Sequence, residues 1–384
     1  MRILFVTLTG HGHVTPTLAV VEELVRRGAE VGYATGSEHA EAVTRAGARW
    51  VELPALPRFR PVTANPVGEW FRHYFAAKAA TYPVLLDRCG ADRPDLICYD
   101  ATNWPARLVA RRLGVPAVRT LPHTASNEHH EVMDVEVDSF NADDVERFAA
   151  EHDVELDPWS TVDAPEECSV VFLPREFQPF GDTFDDSFHF VGPALGRRPD
   201  EEWSPSRTGL PLLYVSLGSV LSSPAFYRAC AEQFGDGRWQ VAMSARDVPA
   251  VPGNFDVRPW FPQPAVLKHA TAFISHGGMN STMEALHQGV PLVVVPLTPE
   301  QVTNAEHIAA LGLGVHVTDH ADLRTAVERV VTDGTIRANL DRMRAAIDTS
   351  GGAGRAADVV LSRALRAASR RTPPACPPSR TRRR

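Results

Sequence analysis

Short apolar runs alternate along the chain with segments in which apolar residues recur at helical spacing. The run at 1–8 is apolar and β-rich, and helical spacing follows at 18–25. Further short apolar runs lie at 30–35, 95–100 and 272–275. Alternation of this kind favours parallel sheets, and 384 residues are long for a single core. We therefore predict an α/β chain of two domains.

The strand–turn–helix pattern at 272–287 has a polar turn that contains glycine. Glycine lets the backbone approach a ligand closely, and the N–H groups and dipole of a helix N-terminus favour an anion. The pattern indicates a phosphate site, although helix capping would also explain such a turn in isolation. Its residues are His276, Gly277, Gly278, Asn280, Ser281 and Thr282.

Two further side chains extend this turn into a possible nucleotide site. Glu284 lies about one turn into the helix, on the side that would face a ribose next to the phosphates. Trp260 stands at the end of a strand, where an indole would stack on a planar base. Either residue alone is more often a solvated or a core residue. The ordered set favours nucleotide binding.

The segment from Trp260 to Gln301 resembles the donor-binding signature of family 1 glycosyltransferases, the UDP-glycosyltransferase superfamily. It is most similar to the actinomycete macrolide glycosyltransferases. The resemblance implies the GT-B fold, in which two Rossmann-like parallel-sheet domains face a central cleft. The matching positions are Trp260, Pro262, Gln263, His276, Gly277, Gly278, Asn280, Ser281, Glu284, Pro291, Pro296, Glu300 and Gln301.

The resemblance also implies how a donor is held. Trp260 would stack on uracil, and Glu284 would hold the ribose hydroxyls. Glu300 and Gln301 would bind the hexose hydroxyls, although Glu300 stands where the bacterial relatives usually have Asp. The residues implied in diphosphate binding are His276, Asn280 and Ser281. A second small-residue turn suited to diphosphate, after the apolar run 212–215, contains Ser216, Gly218 and Ser219.

The N-terminal run leads into Gly-His-Gly-His-Val-Thr-Pro at 10–16. His13 lies there before a helix, and a histidine has a pKa suited to accepting a hydroxyl proton near neutral pH. Asp100 ends a predicted strand, where an acid either points at the ligand crevice of an α/β sheet or caps the next helix. The resemblance implies that His13 is the general base and Asp100 its carboxylate partner.

The same N-terminal turn has a weak likeness to a dinucleotide-binding fingerprint. Gly10 and Gly12 fit it, but Thr15 stands where the third glycine belongs. The strand at 30–35 also lacks the acid that would bind a ribose. A Rossmann oxidoreductase is therefore disfavoured.

Composition narrows the class of protein. A net charge of −8 argues against a general nucleic-acid binder. Five scattered cysteines without CxxC spacing indicate reduced thiols and a cytoplasmic location. No apolar run approaches the length of a membrane span, and no cluster has persuasive metal spacing. We expect no metal, no cofactor beyond the UDP-sugar co-substrate, and no stable membrane insertion.

A stretch rich in Pro, Gly and charge begins near residue 192 and separates the two sets of candidate residues. We predict an acceptor-binding domain at 1–195, a linker at 196–210 and a donor-binding domain at 211–352. A C-terminal helix at 353–370 follows, and the resemblance implies that it packs back onto the first domain. The chain then continues as a disordered basic tail at 371–384. The candidate acceptor-pocket residues are His11, Phe75 and His123.

The motifs and the resemblance together predict an inverting, metal-independent glycosyltransferase. It would move a hexose from a UDP-sugar to a hydroxyl of a small hydrophobic natural product such as a macrolide. Glucose is the hexose that we favour. Antibiotic resistance and biosynthesis are both open as roles, and the protein is expected as a monomer or homodimer. The alternatives are a TDP-deoxysugar transferase in antibiotic biosynthesis, a sugar-nucleotide epimerase, and a non-catalytic helper that binds nucleotide sugars.

Overall fold

The computed structural model describes residues 1–7, 10–54, 59, 66–132, 138–196, 202–207, 209–218, 223–246, 248 and 251–371. In this part of the chain two parallel sheets are each flanked by helices. The candidate donor residue Ser219 and residues 372–384 of the predicted tail lie outside the described residues. The domain boundaries at 195, 210 and 352 stay predictions.

The first sheet is a seven-stranded parallel sheet in the described part of the chain. Its strands are β1 (Arg2–Val6), β2 (Glu30–Thr35), β3 (Arg49–Glu52), β4 (Leu96–Asp100), β5 (Ala117–Leu121), β6 (Ser169–Val171) and β7 (Phe188–Phe190). They run in the order β3-β2-β1-β4-β5-β6-β7. The order reverses between β1 and β4, and open α/β sheets bind ligands at the carboxyl ends of such a pair.

The second sheet repeats this arrangement with six described strands. They are β8 (Leu212–Ser216), β9 (Gln240–Ser244), β10 (Phe255–Arg258), β11 (Ala270–Ser275), β12 (Leu292–Val294) and β13 (Gly314–His316). Their order is β10-β9-β8-β11-β12-β13, so the reversal falls between β8 and β11. The small-residue turns that the sequence singles out follow these two strands.

Thirteen α-helices connect and cover the strands among the described residues. Those before β8 are α1 (His11–Arg26), α2 (Ala40–Arg45), α3 (Pro66–Ala79), α4 (Thr81–Ala91), α5 (Trp104–Leu113) and α6 (Asp138–His152). Those after it are α7 (Pro224–Phe234), α8 (Gln263–Leu267), α9 (Met279–Gln288), α10 (Pro299–Ala310), α11 (Leu323–Thr332), α12 (Gly334–Ser350) and α13 (Gly352–Arg371).

The central strands are buried on both faces, which explains why they read as continuous apolar runs. All five residues of β4 and all five of β8 are buried. One face of the first sheet packs on apolar residues of α1 and α13, and the other packs on α4, α5 and α6. The strands predicted at 30–35 and 95–100 are confirmed, the second within one residue.

The last helix lies against the first sheet's layer. Helix α13 packs on α1, where Arg27 donates to the Asp358 carboxylate at 2.5 Å and to the Gly354 carbonyl at 3.2 Å. The backbone N–H of Gly352 donates to the carbonyl of Val191 at 2.7 Å. The two places where the chain passes between the sheets therefore lie side by side.

Candidate active site

The sequence motifs lie at the carboxyl ends of the strands where each sheet reverses its order. His13 is in the first turn of α1, which follows β1, and Asp100 is the last residue of β4. In the second sheet, Ser216 ends β8 and His276 directly follows β11. Because each pair of strands is hydrogen-bonded, each sheet gathers polar groups from distant parts of the chain at one edge.

His13 and Asp100 are directly bonded. The Nδ1 atom of His13 lies 2.7 Å from Oδ2 of Asp100, whose side chain is 1% exposed, whereas that of His13 is 27% exposed. The other carboxylate oxygen of Asp100 accepts from the backbone N–H of Thr102 at 3.0 Å and from its hydroxyl at 2.6 Å. In the neutral ring, Nδ1 therefore carries the proton and Nε2 has the lone pair.

The two groups shift each other's pKa. Burial raises the pKa of Asp100, but the His13 ring and the Thr102 hydroxyl outweigh burial and hold it at about 2. Burial lowers the pKa of His13, but Asp100 outweighs it and leaves that pKa above its ordinary value. Asp100 thus stays ionised near neutral pH and makes His13 a stronger base.

Lys78 is a residue of this site that the sequence analysis missed. It is buried on α3, with its Nζ 5.9 Å from the centre of the Tyr74 ring. Burial lowers its pKa to about 8, against the charge of Asp100, which raises it. The Lys78 charge in turn lowers the pKa of His13. A lysine at the buried helical spacing of Phe71 and Phe75 was the available signal.

The predicted ribose residue belongs to a hydrogen-bonded group at the start of α8 and on α9. The Gln263 side-chain amide donates to Glu284 Oε2 at 2.8 Å and to the Ser281 hydroxyl at 3.0 Å. The Tyr214 hydroxyl donates to the side-chain oxygen Oε1 of Gln263 at 3.3 Å. Glu284 is 8% exposed. Gln263 therefore orients a carboxylate at the second sheet's edge.

The His276 ring is enclosed by two glycines. A β-carbon at Gly278 would lie 2.5 Å from His276 Nε2, and one at Gly218 would lie 3.0 Å from the ring. The φ angle of Gly218 is +80°, which favours glycine. Burial lowers the pKa of His276, so the ring is neutral near pH 7. Its Nδ1 and the Thr282 hydroxyl are buried and unpaired among the described residues.

The remaining candidate donor residues differ in exposure. Trp260 is 59% exposed after β10, as a stacking platform must be. Glu300 is exposed in the first turn of α10. Gln301 is buried, and its side-chain oxygen Oε1 accepts from the backbone N–H of Leu297 at 2.8 Å. The Asn304 side-chain amide donates to the backbone carbonyl of Gly277 at 3.0 Å and so fixes this part of the turn.

The candidate catalytic and donor residues interact with each other in two ways across the cleft. The side-chain amide of Asn280, at the start of α9, donates to the backbone carbonyl of Gly12 at 2.9 Å. Gly12 directly precedes His13. The carboxylate of Glu300 raises the pKa of His13, so its charge acts on the candidate base.

The three candidate acceptor residues have different surroundings. The His123 ring lies 6.1 Å from the His13 ring, centre to centre. The His11 ring is exposed and lies 4.8 Å from the His39 ring. Phe75 is only 7% exposed and stacks on Trp104 at 5.2 Å, so it packs in the core of the first sheet. Of the three, only His123 is brought next to His13.

The described residues contain no group of three or more His, Cys, Asp or Glu residues arranged to hold a metal ion. Within the same residues, no helix is both long and apolar enough to cross a membrane.

Known proteins identify the family. A family model described as UDP-glucoronosyl and UDP-glucosyl transferase matches residues 208–347. The chain is 34% identical to the NDP-glycosyltransferase YjiC of Bacillus licheniformis, over 94% of this chain and 96% of that protein. It is 35% identical to the demethyllactenocin mycarosyltransferase of Streptomyces fradiae, over 94% of this chain and 86% of that protein.

A solved structure extends the likeness to the whole fold. CalG4, the calicheamicin glycosyltransferase, matches with a TM-score of 0.83 at 34% identity and covers 95% of this chain and 98% of its own. The two sheets with their flanking helices are thus the GT-B fold that the resemblance implied. The chain belongs to the UDP-glucuronosyl and UDP-glucosyl transferase family and is a glycosyltransferase.

Proposed function

We propose that this glycosyltransferase moves a hexose from a UDP-sugar to a hydroxyl of a small hydrophobic natural product, with inversion and without a metal. The observation that carries the proposal is the bond between His13 Nδ1 and the buried Asp100, at 2.7 Å. It leaves the lone pair of His13 Nε2 available as a base. Asn280, a candidate diphosphate ligand, is bonded to the residue next to that base.

The reaction follows from these positions. His13 Nε2 takes the proton of the acceptor hydroxyl, and Asp100 stabilises the imidazolium that forms. The acceptor oxygen bonds to the anomeric carbon as the bond from that carbon to the diphosphate oxygen breaks, and UDP leaves. No enzyme nucleophile is needed, and a single displacement inverts the configuration. Asp100 stays charged throughout, since its pKa is about 2.

The leaving diphosphate gains charge, and the start of α9 is suited to receive it. The N-terminus of a helix favours an anion, and the N-cap position of α9 is Gly278, which has no side chain to cap the free N–H groups. The Thr282 hydroxyl, which is buried and unpaired among the described residues, adds a donor at the same place. Donors aimed at developing charge are an effective way to lower a barrier. No resident cofactor enters the scheme.

The donor we favour is UDP-glucose. The Glu284 carboxylate is oriented by Gln263 and suits a ribose with both hydroxyls. Glu300 and Gln301 suit a fully hydroxylated hexose. A TDP-deoxysugar is the second candidate, because the Streptomyces fradiae relative is named a mycarosyltransferase.

The acceptor class rests on the relatives. The protein from Streptomyces fradiae is named for demethyllactenocin, and the solved structure for calicheamicin. We propose an antibiotic-like natural product, such as a macrolide, as the acceptor, with resistance or biosynthesis as the role. A cytoplasmic location agrees with Cys89, Cys98, Cys168 and Cys230, which are buried free thiols.

The test is an assay of nucleotide release coupled to product detection. UDP-glucose and TDP-glucose are each offered with a panel of macrolide, polyketide and phenolic aglycones, with and without EDTA. We expect acceptor-dependent UDP release, a β-linked product from the α-linked donor, and no effect of EDTA. A product that retains the donor configuration, or loss of activity in EDTA, would overturn the mechanism. Higher kcat/KM for TDP-glucose would overturn the choice of donor.

A further inference from the structure

We propose that His123 is an acceptor-binding residue that selects acceptors with a second hydroxyl next to the one that is glycosylated. The inference rests on the proposed function, because it concerns the acceptor that His13 deprotonates. It deepens that function by naming a substrate class, a vicinal diol.

The tautomer of His123 is set by its hydrogen bond to the backbone. Its Nδ1 atom lies 2.7 Å from the backbone carbonyl oxygen of Thr124. A carbonyl oxygen only accepts hydrogen bonds, so Nδ1 must carry a proton. In the neutral ring, Nε2 therefore holds a lone pair and seeks a donor. Among the described residues, no donor to this Nε2 is found.

His13 also has an unprotonated Nε2 atom in its neutral ring. Its Nδ1 proton is engaged by Asp100, so its Nε2 also holds a lone pair. The two rings lie 6.1 Å apart, centre to centre, and are inclined at 65°. The residues come from neighbouring parts of the sheet edge, since His123 follows β5 and Asp100 ends β4, to which β5 is paired. Two rings that each hold an acceptor nitrogen therefore lie 6.1 Å apart, centre to centre, at the carboxyl ends of the strands.

The rings of His13 and His123 cannot hydrogen-bond to each other through their Nε2 atoms. Two neutral rings whose Nε2 atoms both lack a proton have no hydrogen bond to exchange there. The nearby carboxylates of Asp100 and Glu300, whose charges act on His13, also only accept. A ligand with two neighbouring donors would satisfy both histidines, and a ligand with one would leave an acceptor unpaired, which costs free energy.

The second donor of the ligand is a hydroxyl and not an amino group. An amine would be protonated near neutral pH and would bring a positive charge next to the reacting hydroxyl. His13 becomes an imidazolium when it takes the proton, and a second cation beside it would oppose that step where solvent screens charge poorly, as the buried ammonium of Lys78 already does. A neutral hydroxyl avoids this repulsion. We therefore commit to a diol.

The experiment compares three acceptors of nearly equal size. They are 4-methylcatechol, which has adjacent hydroxyls, 4-methylphenol, which lacks the second, and 2-methoxy-4-methylphenol, in which the second is capped. Each is assayed for kcat/KM in the wild type and in His123→Leu, with statistical correction for the two catechol hydroxyls. One hydrogen bond predicts a preference for the catechol of about fivefold to tenfold in the wild type. The preference should vanish in His123→Leu.

Two variants separate acceptor binding from a structural role. His123→Gln keeps a side-chain acceptor and should restore part of the preference, whereas a general loss of packing would lower kcat/KM equally for all three acceptors. His287→Leu, at the far end of α9, is the matched control and should keep the wild-type preference. An equal preference in wild type and His123→Leu would overturn the proposal, as would the absence of any preference in the wild type.

Failure of this inference is distinguishable from failure of the proposed function. If the two acceptors 4-methylphenol and 4-methylcatechol are glucosylated with equal kcat/KM, the transferase function stands and the selection of diols is wrong. If no hydroxyl acceptor of any kind is glucosylated while nucleotide sugar binds, the proposed function itself is wrong.

Discussion

On the donor side of the cleft, most of the side chains that meet come from one short stretch of chain, and Tyr214 on β8 and Gly218 just after it join them. Gln263 bonds to Ser281 and Glu284, which follow it by 18 and 21 residues. On the acceptor side, His13 bonds to Asp100 across 87 residues, while Lys78 and His123 come from two further segments. The donor side is a local unit of helix starts and one sheet edge, whereas the acceptor side depends on how several strands and α3 pack.

This difference suggests a division of labour. In the proposed reaction, the donor side binds the nucleotide sugar. The acceptor side would hold the proposed base and the acceptor, so that a small change in packing there would move reacting groups. Substitutions on the donor side should change nucleotide binding, whereas those on the acceptor side should change turnover and acceptor choice.

The largest expected effect is that of His13→Ala. Removing a general base should lower kcat/KM by roughly 10³-fold, since proton transfer by a positioned side chain contributes about 10²–10⁴-fold. The measurement is initial-rate UDP release with a saturating acceptor, and His287→Ala is the control histidine. A loss of less than about tenfold would show that another group takes the proton.

A smaller effect is expected for Asp100→Asn. The asparagine amide can donate to Nδ1 and so favour the tautomer that blocks Nε2, which should lower kcat/KM by about 10²-fold. The pH profile gives a second reading. The base works when neutral, so kcat/KM rises with pH through the pKa of His13, which lies above its ordinary value in the wild type.

Removing the Asp100 charge leaves burial and Lys78, which lower the pKa of His13, and Glu300, whose smaller effect raises it. The midpoint of the pH profile should therefore move to lower pH in Asp100→Asn. Profiles of both proteins from pH 5 to pH 9, with about half-unit steps, are enough to see the direction of the shift. An unchanged or higher midpoint would contradict the charge pairing.

The smallest of these effects is on the donor side. Glu284→Gln should raise KM for UDP-glucose by about tenfold, because it replaces a charged acceptor of hydrogen bonds with a neutral one. The KM for TDP-glucose should rise less, since a 2′-deoxyribose offers the carboxylate fewer partners. Glu306→Gln, on the exposed face of α10, is the matched control. Equal increases for both donors would argue that Glu284 does not contact the 2′-hydroxyl.

The sequence predicted best what depends on neighbouring residues. The strand at 30–35, the small-residue turn after β11 and the helix that begins at Met279 follow from local spacing, and the structure has them at those places. The direction of the buried acid was also predictable, because Asp100 ends a strand whose neighbours are parallel. Local pattern thus predicts the elements and the end of the sheet at which the candidate residues lie.

What escaped the sequence depends on which face of a helix packs inwards and on the order of strands. Phe75 was a candidate for the acceptor pocket because its segment is aromatic, yet it stacks on Trp104 in the core. Lys78, on the same helix, was overlooked because lysine is ordinarily exposed, yet it is buried near the catalytic pair. The approach of His123 to His13 requires β5 to lie beside β4 and β4 beside β1, which spacing alone does not give.

The division of labour between the two sides is tested most directly by calorimetric titration of UDP into three proteins, the wild type, His13→Ala and Glu284→Gln. The account predicts that the dissociation constant of His13→Ala stays within about twofold of the wild type while that of Glu284→Gln rises by about tenfold. The opposite pattern, with UDP binding weakened by loss of His13 and unaffected at Glu284, would contradict it.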